Sequence, residues 1–128
     1  MNWLQAGLAA AAIAYLLNQA AYKLWHKNVI IGAVPLVEEV AKTMTAFFFS
    51  TDIFYTHLAF GVIEGLLDVV SGKKGWLPAF FAVLAHSLLG WVTIKVASET
   101  NMLGAGIMAA VIVHLVLNIA LLYRFVKS

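Results

Sequence analysis

Three ionisable side chains inside one apolar stretch limit what this chain can fold into more than any other feature. The stretch runs from Val29 to Phe49 and contains Glu38, Glu39 and Lys42. An unpaired charge at the centre of a membrane helix costs about 2.5–3.5 kcal/mol. These side chains are therefore expected to face the protein interior, to pair with one another, or to be partly neutral. Lys42 follows the two glutamates by four and three residues, so it is expected to pair with one of them on the same helix.

The composition is typical of a membrane protein. Of the 128 residues, 63% are hydrophobic and 11% are charged, which leaves too little polar surface for a soluble domain of this size. Barrel strands would alternate polar and apolar residues, and these segments do not. The sequence therefore predicts an all-α, polytopic membrane bundle of about five helices. The absence of cysteine excludes disulfides and Cys-ligated zinc, and the net charge of +2 is too small to suggest nucleic acid as a partner.

Polar segments divide the chain into five predicted helices within a single transmembrane domain, residues 1–128. The helices are expected at about Trp3–Lys23, Val29–Ser50, Ile53–Ser71, Trp76–Ala97 and Met102–Val126. Each is close to the length of about 20 residues that a helix needs to cross the hydrocarbon core of a bilayer.

The basic residues collect on one side of the membrane if all five helices cross it. The opposite side then holds only Lys95 among lysines and arginines. The basic side holds Lys23, Lys27, Lys73, Lys74, Arg124 and Lys127. The positive-inside rule then predicts an external N-terminus and a cytoplasmic C-terminus.

Five polar residues in the apolar segments fall at similar depths. Counted from the predicted cytoplasmic ends, each lies seven to twelve residues into its helix, a range of one to two turns at about 1.5 Å per residue. These residues are Glu38, Glu39, Glu64, His86 and His114. Because the helices alternate in direction, this agreement predicts that four helices contribute to one buried site. His57 and Asp68 lie nearer the helix ends and are interpreted as solvated or packing residues.

Carboxylates, imidazoles and an amide at one depth suit the activation of water. A sheltered glutamate can accept a proton from water, and two imidazoles with the amide of Asn118 can donate to the oxyanion of a scissile carbonyl. The same glutamates and histidines also suit a zinc ion, which would acidify its bound water. The HExxH motif of soluble zinc proteases is absent because the two histidines lie on different helices.

Four short patterns follow one another, each in the centre of its own predicted helix. They are Pro-x-x-Glu-Glu-x-x-Lys at 35–42, Phe-x-x-x-Glu at 60–64, His-x-x-x-Gly at 86–90 and His-x-x-x-Asn at 114–118. In this order they resemble the PrsW-like intramembrane proteases, which belong to the superfamily of CAAX prenyl endopeptidases and bacteriocin-processing enzymes. The resemblance covers about residues 30–122. One departure is Gly65, where many relatives have Asn.

The resemblance implies a membrane peptidase that hydrolyses a peptide bond in or next to the bilayer. Its implied partners are the lipid bilayer and a transmembrane or membrane-anchored peptide substrate, with no role for nucleic acid. Because the chain is short, a homo-oligomer or a partner membrane protein is also expected to complete the substrate path. The implied enzyme is either of the glutamate type or of the metalloprotease type, so both Zn²⁺ and a metal-free mechanism are expectations.

The resemblance also assigns roles to individual residues. Glu38 matches the first motif glutamate and is the expected general base, positioned and tuned by Glu39 and Lys42. Glu64, His86 and His114 would line the reacting water, or bind the metal ion if there is one. Asn118 would contribute to the oxyanion hole.

Two other functions are compatible with the same residues. Buried glutamates and histidines also relay protons and bind cations, so a proton or metal-ion conduit is an alternative. The other is a non-catalytic membrane scaffold, in which the motifs hold helices together or capture a partner. The clustering of polar residues at one depth, rather than in a file across the membrane, favours the protease over the conduit.

Overall fold

The structure, a computed structural model, is a bundle of five α-helices. It describes residues 1–24, 27–71 and 76–126, with the backbone alone at 27–31 and 121–126. The helices are α1 (Trp3–Leu24), α2 (Lys27–Phe48), α3 (Ile53–Val70), α4 (Trp76–Thr100) and α5 (Leu103–Val126). No strand occurs in these described segments. The predicted all-α bundle is confirmed, and every helix end lies within three residues of its expected position.

Four of the helices, α1, α3, α4 and α5, are long and apolar enough to cross a membrane. Many large apolar side chains lie exposed on the outside of the bundle, among them Leu16, Phe48 and Val70. Such a surface is unfavourable in water and suitable in lipid. The chain is therefore a multi-pass membrane protein.

The remaining helix, α2, carries the charged residues and runs back through the bundle. The rings of Trp3 and Tyr55 lie 5.7 Å apart, so α1 and α3 begin at the same end. The helix that joins them must return over the same distance in the opposite direction. Its 22 residues are about 33 Å long, which matches the thickness of a bilayer core.

One face of helix α2 is packed against the other helices. Helix α1 packs on α2 and α3, α3 packs on α4, α4 packs on α5, and α5 returns to contact α2. Small residues on α1, including Ala6, Ala10 and Ala14, are buried and allow close approach. As a result, one face of α2 is covered by α1, α3 and α5, and its charged side chains are kept away from lipid.

Candidate functional site

A network of polar side chains, joined by hydrogen bonds and by two close contacts of 3.6 and 3.8 Å, lies in the middle of the bundle, and every helix contributes to it. Helix α2 supplies four members, α3 two, and each of the other helices one. The members are Asn18, Glu38, Glu39, Lys42, Thr43, His57, Glu64, His86 and His114.

The centre of the network is an ion pair on α2. The side chains of Glu39 and Lys42 are 0% exposed, and the Lys42 Nζ donates to Glu39 Oε1 at 2.5 Å. The same Nζ lies 4.6 Å from the centroid of the Phe60 ring, a cation–π contact. Of its two expected partners, Lys42 therefore pairs with Glu39, which is three residues away in the sequence, rather than with Glu38, which is four residues away. A buried charge of either sign alone would be far more costly than the pair.

His86 receives its orientation from the same lysine. The Lys42 Nζ lies 2.8 Å from His86 Nδ1, and because an ammonium group has no acceptor, Nδ1 must accept this hydrogen bond. The ring proton is then on Nε2, which donates to Glu64 Oε2 at 2.5 Å. Both nitrogens of His86 are thus engaged.

His114 is held from the other side by Glu39. Its Nδ1 lies 2.8 Å from Glu39 Oε1, and because a carboxylate only accepts, this nitrogen carries the proton. The lone pair of the neutral ring is then on Nε2, which lies 3.8 Å from Glu38 Oε2. Glu38 Oε1 in turn accepts a hydrogen bond from the Asn18 amide at 3.3 Å. Glu38 and His114 therefore face each other, each oriented by another residue.

The two ends of the network are more accessible than its centre. The side chains of Glu38 and His114 are 12% and 10% exposed, and that of Glu64 is 45% exposed. The two ends meet through a ring contact: the centroids of His86, which bonds Glu64, and of His114, which faces Glu38, are 5.5 Å apart. The structure thus brings together all the predicted site residues of α2, α3 and α4, and His114 of α5.

Asn118 is the predicted site residue that the structure does not bring into the network. It lies one turn beyond His114 on α5, is half-buried, and makes no hydrogen bond within the described part of the chain. Because an oxyanion-hole donor bonds to the substrate, the expected contribution of Asn118 to such a hole stays a prediction.

His57 is fully buried, so of its two interpretations, solvated or packing, the solvated one is wrong, and the ring also lies against the network. Its Nε2 lies 3.1 Å from the Thr43 hydroxyl, and its Nδ1 lies 3.6 Å from Glu39 Oε2. A signal for this placement was present in the sequence: the His-x-x-x-Gly spacing at 86–90 also occurs at 57–61. Asn18 and Thr43 were missed as well, and no sequence pattern marks them.

The repeated spacing has a physical reason in the contact between α3 and α4. A Cβ atom added at Gly61 would lie 2.9 Å from the Cβ of His86, and one at Gly90 would lie 2.8 Å from the Cβ of His57. Because the two helices are antiparallel, each histidine lies opposite the glycine of the other helix. The two glycines therefore leave the space in which the two histidines reach α2.

We expect Gly90→Ala to destabilise the bundle by about 1–3 kcal/mol, the usual cost of overpacking, because its methyl group would overlap His57. The matched control is Gly104→Ala, where nothing lies within 4 Å of the added Cβ. That substitution should be neutral or stabilise helix α5 by up to about 1 kcal/mol. The free energy of unfolding in detergent micelles measures both, and equal effects of the two variants would contradict the close contact.

The residues expected to bind a metal ion do not fit one in this arrangement. Both nitrogens of His86 are used, one of them by the Lys42 ammonium group 2.8 Å away, which would repel a cation. Among the described residues, no group of three or more histidine, aspartate or glutamate side chains is arranged to hold a metal. In this arrangement Glu64 and His86 are hydrogen-bonded to each other and His114 is hydrogen-bonded to Glu39, while metal binding by these three residues stays a prediction.

An apolar groove of about 510 Å³ lies between α1 and α2, apart from the polar network. Its lining includes Ile13, Leu36, Val40 and Phe48. No network residue lines it, so it belongs to the lipid-facing surface.

Comparisons with protein-family models, with curated proteins and with solved structures find no match for this chain.

Proposed function

We propose that this chain is an intramembrane protease in which a buried glutamate activates water without a metal ion. The observation that carries the proposal is the series Glu39–His114–Glu38. Glu39 holds His114 Nδ1 at 2.8 Å, and the opposite nitrogen of the ring faces Glu38 Oε2 at 3.8 Å. An imidazole oriented by a carboxylate beside the reacting group is a recurring arrangement in hydrolases, and here Glu38 faces such an imidazole.

The proposed reaction uses Glu38 and His114, which face each other at one end of the network and are 12% and 10% exposed. Because Glu38 Oε2 and His114 Nε2 are 3.8 Å apart, one water molecule beside them can donate a hydrogen bond to each. Glu38 takes a proton from this water as the water oxygen bonds to the scissile carbonyl carbon, and the carbonyl electron pair moves to its oxygen. When the tetrahedral intermediate collapses, the C–N bond breaks and the leaving nitrogen takes the proton from Glu38.

Lys42 and Glu39 support this chemistry from the interior. Neither side chain is exposed, so neither can touch a substrate, but together they fix the two histidines. The positive charge of Lys42 also balances part of the negative charge of the glutamates in a medium of low dielectric constant. The order of the four motifs, with its resemblance to PrsW-like proteases, independently supports a peptidase.

The same geometry weighs against the alternative of a proton conduit. A relay requires each member to accept a proton on one side and to release one on the other. Lys42 donates to both of its neighbours, Glu39 and His86, and an ammonium group has no acceptor. The network is thus interrupted at its centre as a path for protons.

The proposed substrate is a transmembrane or membrane-anchored peptide, since the reacting groups lie in the middle of helices that pass through lipid. A second copy of the chain, or a partner membrane protein, would complete the path by which the substrate reaches Glu38. The scaffold alternative differs from this proposal because it requires binding without cleavage.

We further propose that the N-terminus is outside and the C-terminus is in the cytoplasm, as the positive-inside rule indicates. The chain has no cysteine, so single cysteines can report its topology. A membrane-impermeant maleimide added to intact cells should label Glu99→Cys, and should label Ser71→Cys only after the membrane is permeabilised. The reverse pattern would show the opposite orientation.

The test of the proposed function is cleavage of transmembrane peptides by the purified chain in liposomes, with and without a strong chelator. Cleavage that persists in chelator is the expected result, and the exposed-site variant Glu99→Gln should match the wild type. Activity lost on chelation and restored by Zn²⁺ would overturn the metal-free mechanism. If a broad panel of such peptides yields no product, the protease proposal itself is wrong.

A further inference from the structure

Two buried polar atoms at the centre of the network face each other without a hydrogen bond. Within the described residues, Glu39 Oε2 and His57 Nδ1 are both buried and both lack a partner. They lie 3.6 Å apart, slightly farther than a hydrogen bond allows. Buried polar atoms are normally paired, so this contact requires an explanation.

The His57 ring is positioned by one contact with α4 and one with α2. Gly90 of α4 leaves the space for its ring, since a Cβ there would lie 2.8 Å from the His57 Cβ and 3.1 Å from its Cγ. On the other side, the Thr43 hydroxyl lies 3.1 Å from His57 Nε2. When that hydroxyl donates, Nε2 is the acceptor, and the ring proton lies on Nδ1, toward Glu39.

The two oxygens of Glu39 are held unequally. Oε1 accepts from Lys42 and from His114, whereas Oε2 has no hydrogen-bond partner among the described residues and lies 3.6 Å from His57 Nδ1. A carboxylate held through one oxygen can rotate about its terminal bond, and His114 would turn with it. A donor at the second oxygen prevents this rotation.

We propose that His57 is a positioning residue for the hydrolysis: it holds the second oxygen of Glu39 and thereby the orientation of His114 toward Glu38. The inference rests on the proposed function and adds to it a residue that lies outside the four motifs. His57 is 0% exposed, so it cannot touch the substrate. Its loss should therefore lower kcat and leave KM unchanged.

The kinetic test compares two replacements of similar size. The amide nitrogen of His57→Asn occupies nearly the place of Nδ1 and can still donate to Glu39, whereas His57→Leu fills the space without a donor. We expect His57→Leu to lower kcat on the order of 10- to 100-fold at constant KM, and His57→Asn to restore most of that loss. A purely structural role predicts the opposite order, because leucine is the better core residue. Activity of His57→Leu equal to or above that of His57→Asn would overturn the inference.

A spectroscopic test separates this inference from the proposed function. In protein with ¹⁵N-labelled histidine in detergent micelles, we expect the ring of His57 to carry its proton on Nδ1. Glu39→Gln should shift the signals of His57 and His114, and the distant exposed-site variant Glu99→Gln should shift neither. A His57 ring protonated on Nε2, or one that does not respond to Glu39→Gln, would overturn the inference even if the wild type cleaves peptides. A wild type that cleaves nothing would instead overturn the proposed function.

Discussion

Glu38→Gln is expected to lower kcat for peptide cleavage by about 10²- to 10⁴-fold, the range that general acid–base catalysis contributes. Glutamine has nearly the same shape as glutamate, and its amide oxygen can still accept the hydrogen bond from Asn18. An amide cannot take a proton from water, so the variant should fold normally and bind the substrate without hydrolysing it. The measurement is kcat and KM on a transmembrane peptide that the wild type cleaves.

The control for this substitution is Glu99→Gln, which removes a carboxylate from an exposed pair with Lys95. Both side chains of that pair are more than half exposed, so its loss should change neither stability nor activity appreciably. A Glu38→Gln variant with wild-type kcat would show that Glu38 is not the base. If Glu64→Gln were then inactive, the base would lie at the other accessible end of the network.

The fold could be predicted because the physical constraints on it are local. Long apolar runs must be helices in a bilayer, since only a helix satisfies its own backbone hydrogen bonds there. The cost of a charge in that medium also requires Glu39 and Lys42 to be buried and paired. Counting residues from the helix ends placed His86 and His114 at the same depth, because the rise per residue of a helix is constant.

The remaining members of the network were harder to predict, because neutral polar residues give no such signal. A threonine or an asparagine costs far less to bury than a charge, so the sequence does not show whether Thr43 or Asn18 faces lipid or protein. For His57 the signal is its spacing from Gly61, which repeats that of His86 and Gly90. Their placement depends on the rotation of each helix about its own axis. That rotation is set by close contacts such as the one between Gly90 and His57.

Asn118 shows the limit of spacing arguments. Four residues correspond to about 400° of rotation in a helix, so a residue four positions after His114 is turned by about 40° from it. Glu38 and Lys42 have the same spacing and both lie in the network, whereas Asn118 is half-buried beside it, so spacing alone does not decide the outcome. The sequence left metal and metal-free chemistry open for a related reason, because composition does not report which atoms of His86 are already bonded.

Lys42→Met is expected to destabilise the bundle by about 3–5 kcal/mol, the usual effect of removing one partner from a buried ion pair. It would leave the Glu39 carboxylate buried without its cation and His86 Nδ1 without its donor. The measurement is the free energy of unfolding in detergent micelles, followed through the loss of helical circular dichroism. A change below about 1 kcal/mol would mean that the pair behaves like one at an exposed surface.

The double variant Lys42→Met with Glu39→Gln separates charge compensation from the rest of the contact. With both charges removed, the Glu39 carboxylate is no longer buried without its cation, so we expect the double variant to be more stable than Lys42→Met alone. Additive losses would instead show that the two residues contribute independently. Recovered stability should not bring recovered hydrolysis, since His114 would then be held by an amide that accepts more weakly than a carboxylate. Such a result would show that Glu39 has two separate roles: its charge compensates Lys42 in the folded bundle, and its strength as an acceptor orients His114.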